Sequence, residues 1–148
     1  MGSSIAAFKR ALLARLKADP AFAGEHMTVS IGQPECATRE LVAIGGAARR
    51  PPVFVGGSLR ANRQYSLSVL VSVVAAHELL ENLETRAEEI ENAVTTSVLM
   101  WKNESAYEGL ALDVTPGESS DDDFQKGSIR EASVVLSFDV TAIVSYGD

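Results

Sequence analysis

The sequence predicts an α+β fold: a mainly antiparallel sheet with an N-terminal helix and a long central helix packed on one of its faces, plus an extended arm. Three patterns carry that reading. Apolar residues recur every three or four positions near the N-terminus and again over residues 78–101, the period of an amphipathic helix. Residues 65–73 and 132–144 instead alternate apolar with polar, as strands with one covered face do. Between the two helical patterns runs a segment rich in Gly, Pro and Arg that fits neither period. With no internal repeat and no linker composition, residues 1–148 are expected to form one domain.

Ile5, Phe8, Leu12 and Leu16 make one apolar stripe on a helix over residues 4–18, with Ser3 or Ser4 as its cap and Pro20 marking its end. In MTVSIG, Met27, Val29 and Ile31 alternate with polar neighbours, which predicts a short strand before a turn at residues 32–34. A second short strand, residues 41–44, leads into the arm. Beyond the arm, Tyr65, Leu67, Val69, Val71 and Val73 face one way while Ser66, Ser68 and Ser72 face the other. From residue 78 the period changes: Leu80, Leu83, Ala87, Ile90, Val94, Val98 and Trp101 form a helical stripe, and Glu81, Glu84, Glu88, Glu89 and Glu91 crowd the remaining surface. Residues 110–114 suggest another strand, and residues 116–127, PGESSDDDFQKG, read as a mobile polar loop. The last strand is the most regular, from Ala132 through Val134, Leu136, Phe138, Val140 and Ala142 to Val144.

The arm lies in IGGAARRPPVFVGGSLRANRQY. Two Gly-Gly pairs and Pro51-Pro52 disfavour a continuous ladder, and VFV is too short to stand as a strand alone, so residues 45–63 are read as a hairpin or flap that orders against a partner surface. Its charge is one-sided. Residues 41–77 carry Arg49, Arg50, Arg60 and Arg63 and no acid, whereas residues 78–125 carry thirteen acids against Arg86 and Lys102. The arginines fit three uses: a solvated surface, a DNA contact, or ion pairs with a neighbouring subunit, for which guanidinium forks match carboxylates well. The subunit reading takes Arg49, Arg50, Val53, Phe54, Val55, Arg60 and Arg63 as the contact set, with Glu81, Glu84, Glu88 and Glu91 as its acidic counterpart.

Composition excludes several classes. A net charge of −7 opposes general nucleic-acid binding, which needs a dominant basic face. The longest apolar run, residues 67–76, is broken by Ser68 and Ser72 and is too short to cross a membrane, and no signal-peptide core opens the chain, so no membrane partner is expected. Cys36 stands alone, ruling out an internal disulfide, and reads as a small buried hydrophobe. The Gly pairs match neither a P-loop nor a dinucleotide fingerprint; Asp121-Asp122-Asp123 lacks the ligand spacing of a calcium loop; His77-Glu78 has no second His four residues on. No metal, no cofactor and no catalytic centre are therefore expected, and an α+β enzyme or ligand binder with a pocket under the arm remains the alternative.

The whole order of elements resembles the tail terminator, or tail completion, proteins of long-tailed bacteriophages. The landmarks are IAAFKRALLARL, the SIGQP turn, RANRQYSLSVLVSV at the end of the arm, ETRAEEIENAVTTSVL, and REASVVLSFDVTAIV. The resemblance covers nearly the whole chain. It implies a homo-oligomeric ring, six-fold, at the head-proximal end of the tail tube, where it ends tube polymerisation and offers the neck a docking surface. Its implied partners are other copies of itself, the tail tube protein and a neck or head-completion protein, with genomic DNA passing through the lumen without specific binding. The implied location is the tail–neck junction of the virion, the protein being made in the host cytoplasm, and the family has no catalytic residues to carry over. Other neck and tail-tube proteins share parts of the same pattern.

Overall fold

The computed structural model describes residues 4–34, 38–54 and 59–145. Ser3, Cys36, Val55 and the glycine pair at 56–57 lie outside the described residues. Helix α1 spans Ile5–Ala18, and the Ser4 hydroxyl accepts a hydrogen bond from the Ala7 amide at 3.0 Å. Its buried residues are Phe8, Leu12 and Leu16 of the predicted stripe, whose first member, Ile5, is half-buried. Asp19 ends it and caps a single 3-10 turn, Pro20–Phe22, whose first residue has no amide hydrogen to satisfy.

The strands are β1 Met27–Ile31, β2 Glu40–Arg49, β3 Val53–Phe54, β4 Arg60–Ala76, β5 Asp113–Pro116, β6 Ser120–Lys126 and β7 Ile129–Ser145, with helix α2, Leu80–Ser105, between β4 and β5. They form one sheet in the order β1-β2-β4-β7-β5, with β3 also on β4 and β6 also on β7. Among the described residues the β1–β2 pair alone is parallel. The spine is β4 against β7, in unbroken register from Arg60 opposite Ser145 to Ala76 opposite Ile129. Alternation on both strands fixes that register, because a slip of one residue would turn every core side chain outward.

Both helices cover the face that carries Val42 and Ile44 of β2, Tyr65 to Val73 of β4, and Ala132 to Ala142 of β7. Phe8, Tyr65, Trp101 and Tyr107 lock the helices to it: the Phe8 ring lies 5.4 Å from Trp101 and 6.2 Å, edge-on, from Tyr65, and Trp101 meets Tyr107 edge-on at 5.6 Å. The other face bears half-buried Ser66, Ser68, Leu70 and Val74.

Several boundaries differ from the sequence reading, each for a visible reason. Strand β2 runs on to Arg49 instead of stopping at Ile44, because a bulge between Ile44 and Ala47 absorbs the Gly45-Gly46 pair. Gly45 suits the close approach there, since a Cβ would stand 3.3 Å from the Ser68 carbonyl oxygen and push the strands apart by a few tenths of an ångström. The two prolines then interrupt the ladder, which resumes as β3. Helix α2 begins at Leu80, after the Glu78 carboxylate accepts from the Leu79 amide at 3.2 Å and from Asn82 Nδ2 at 2.8 Å, and it runs on to Ser105. The predicted loop over residues 116–127 is largely a strand: β6 pairs with β7 from Ser120 opposite Val135 to Lys126 opposite Ile129. Every residue of β6 is exposed, so no apolar alternation announced it. A two-residue turn with Gly127 at φ +61° closes this hairpin.

Candidate functional site

The arm is a hairpin built into the sheet. Arg49 pairs opposite Tyr65 at the end of β2, the Arg50 amide donates to the Gln64 carbonyl at 3.0 Å, and Val53 and Phe54 pair opposite Asn62 and Ala61. The return leg is the start of β4, which β7 supports on its other side. Arg49, Arg50 and Arg60 are exposed, and Arg63 is half-buried. Among the described residues, neither Arg49 nor Arg50 is held in an ion pair. The apolar end is unusually open: Val53 is 66% exposed, Phe54 56% and Leu59 63%. A strand of two residues leaves most of the surface of these side chains uncovered.

Of the predicted acids, Glu84 and Glu88 are exposed and Glu91 is half-buried, all on the flank of α2 that faces β6. There they meet Asp121 and Asp123 of β6, whose polar sequence reads as a loop. A side-chain hydrogen bond with Asp123, reinforced by the charges of Asp123, Asp121 and Glu88, pushes the Glu84 carboxyl above the ordinary glutamate range. Burial first, then Asp121 and Glu88, raises Glu91. Among the described residues no basic side chain lines the cleft between α2 and β6. Glu81 stands exposed one turn nearer the start of α2, and Glu89 is already paired with Arg86, which also grips Glu40 at 2.6 Å.

Bases and acids sit at opposite ends of the sheet. Arg63 lies opposite Ala142 and Val73 opposite Ala132, the latter lining the acidic cleft. Ten residues of β4 separate the two levels, about 33 Å at the rise of an extended strand. A subunit's arm therefore cannot neutralise its own cleft. Among the described residues no group of three His, Cys, Asp or Glu side chains is arranged to hold a metal ion, and no helix is long and apolar enough to cross a membrane.

The architecture has a counterpart among solved structures. It shares its fold with a chain in the virion of a native gene transfer agent particle. The match covers 90% of this chain and 93% of that one, with a TM-score of 0.59 and 16% identity. No family model and no curated protein matches the sequence. At 16% identity side chains have diverged almost everywhere, so the shared feature is the path of the backbone, the gene-transfer-agent chain and this one building the same sheet and helices from different residues.

Proposed function

We propose that this chain is a structural virion protein that forms a six-fold ring at the head-proximal end of a phage-type tail tube, ends tube polymerisation and gives the neck a docking surface. The observation that supports this most is a fold shared with a virion chain over nine-tenths of both lengths. The polarised layout agrees with it. Bases on a projecting hairpin, about 33 Å from the acidic cleft, suit a head-to-tail contact in which one copy's arm meets the next copy's carboxylates, and such a heterologous contact must close into a ring or run on as a filament.

In this reading Arg49, Arg50, Arg60 and Arg63 pair with Glu81, Glu84, Glu88 and Glu91 of the adjacent copy, and Asp121 and Asp123 join the acidic side. The ring contacts the tail tube protein on one side and a neck or head-completion protein on the other, with DNA passing through its lumen, and it has no catalytic centre. A place elsewhere in the neck or tail tube is the second reading, because the same fold match supports it equally.

Two measurements test the proposal. Native mass should show a closed oligomer, alone or on addition of tail tube protein, and tubes polymerised in its presence should stop growing when seen by electron microscopy. Arg49→Glu with Arg50→Glu should weaken assembly with the circular dichroism unchanged, and raised salt should act the same way. Each exposed pair contributes only about 0–1 kcal/mol, so the effect rests on repetition round the ring. Tubes that lengthen unchecked beside a protein that stays monomeric would discard the terminator role.

A further inference from the structure

Helices α1 and α2 leave an open groove of about 630 Å³ between them on the outer side of the molecule. Its floor is small, with Ala11, Ala14 and Ala18 on successive turns of α1, and its wall is Trp101 and Met100, the latter 50% exposed. The Ser97 side chain lines it, 4% exposed, with its hydroxyl lacking any hydrogen-bond partner. The rim is acidic: Asp19, Glu104 and Glu108 border the groove, and its one base, Arg15, is already committed. Arg15 donates to the Ser97 carbonyl at 2.8 Å and to Glu104 at 2.7 Å, and its guanidinium lies over the Trp101 ring at 5.9 Å.

We infer that this groove receives the arm of a second copy of the chain, with Phe54 and its neighbours Val53 and Leu59 filling the space over the alanine floor. The inference rests on the ring reading only in requiring that copies meet. Three features select this occupant. The groove is apolar at its base and acidic at its rim, and the arm is apolar at its end and basic behind it, so both terms match at once. Phe54 at 56% exposure and Met100 at 50% each leave apolar surface in water that a contact between copies would cover. Within one chain the contact is excluded, because β3 is held in the ladder on β4, with Val53 and Phe54 more than half exposed there and not in the groove.

The geometry also reconciles the groove with the acidic cleft. Thr96, Met100 and Glu104 lie on one flank of α2 and Glu84 and Glu88 on the other. A helix is about 10 Å across, and the eight residues from Glu88 to Thr96 add about 12 Å along its axis, about 16 Å in all. Five residues separate Arg49 from Phe54, about 16 Å of extended chain. A hairpin laid over α2 thus sets its end in the groove while its arginines reach toward the far flank.

The test joins two surfaces chemically. In a Cys36→Ser background, chains carrying Leu59→Cys are mixed with chains carrying Thr96→Cys and treated with a short bifunctional thiol reagent; both positions are exposed, and circular dichroism checks folding. The expected result is a covalent dimer in the mixture far exceeding that of either chain alone, and a loss of about tenfold or more in its yield when Phe54→Ser is added to the first chain. An oligomer of unchanged native mass that gives no mixed dimer overturns the groove and leaves the ring standing. A monomer at every concentration, with tail tube protein present and no mixed dimer, overturns both.

Discussion

At the residue scale, backbone strain concentrates where α2 ends. Ala106, Tyr107 and Glu108 all take left-handed backbone angles, at φ 49°, 56° and 54°, before Gly109 at 75°. Each such non-glycine residue costs roughly 1–2 kcal/mol, so something must hold the turn. Tyr107 does: it is buried against Trp101, and its hydroxyl points to the Val114 carbonyl at 3.5 Å. Removing a buried aromatic ring costs about 3–5 kcal/mol, more than the relief of strain returns, so Tyr107 stays despite its angles. Ala106 has no such compensation. It caps α2 in the left-handed region, where glycine is the usual choice, and Ala106→Gly should raise stability by about 1 kcal/mol, read from the urea midpoint.

At the element scale, the hairpin of β6 and β7 meets α2 through carboxyl groups, an arrangement that works against the isolated fold. Glu84 and Glu91 have pKa values raised on folding, so the folded chain holds their protons more tightly than the unfolded chain does. Their repulsion therefore weighs on the folded state at neutral pH and is relieved as pH falls through the raised values. Glu84→Gln should accordingly raise the melting temperature at pH 7, with the gain over wild type shrinking on acidification. Because the same carboxylates are the proposed seat for a neighbour's arginines, this variant should weaken assembly while it stabilises the subunit. A variant more stable and equally competent in assembly would show that the cleft takes no part in the interface.

At the scale of the whole molecule, the division of charge decides what the surface attracts. The four arginines of the arm are too few to release many counterions from a duplex, and the chain as a whole is at −7. Duplex DNA at about 0.15 M salt should give no change in fluorescence anisotropy with the purified protein. Binding with a steep salt slope that Arg49→Glu and Arg50→Glu abolish would instead make the arm a nucleic-acid surface.

The sequence by itself determined the α+β class, both helices, and the long strands, because each has a one-sided apolar pattern whose period only one backbone geometry satisfies. The stripe from Phe8 to Leu16 and the alternation from Ala132 to Ala142 are buried in full. It also supplied the arm and its arginines, since composition needs no partner to be read. Tertiary structure decided what depends on pairing between distant segments. Strand β6 has no buried side chain and exists because β7 offers a free edge; only the Gly127-Ser128 turn signalled it in the sequence. That pairing brings Asp121 and Asp123 to Glu84 and turns scattered acids into a cleft. The groove was equally hidden, because the small residues of α1 that floor it acquire meaning only once α2 lies alongside at the distance set by Phe8 and Trp101. Periodicity is local and survives in one dimension, whereas a surface is assembled from elements whose relative placement the core alone fixes.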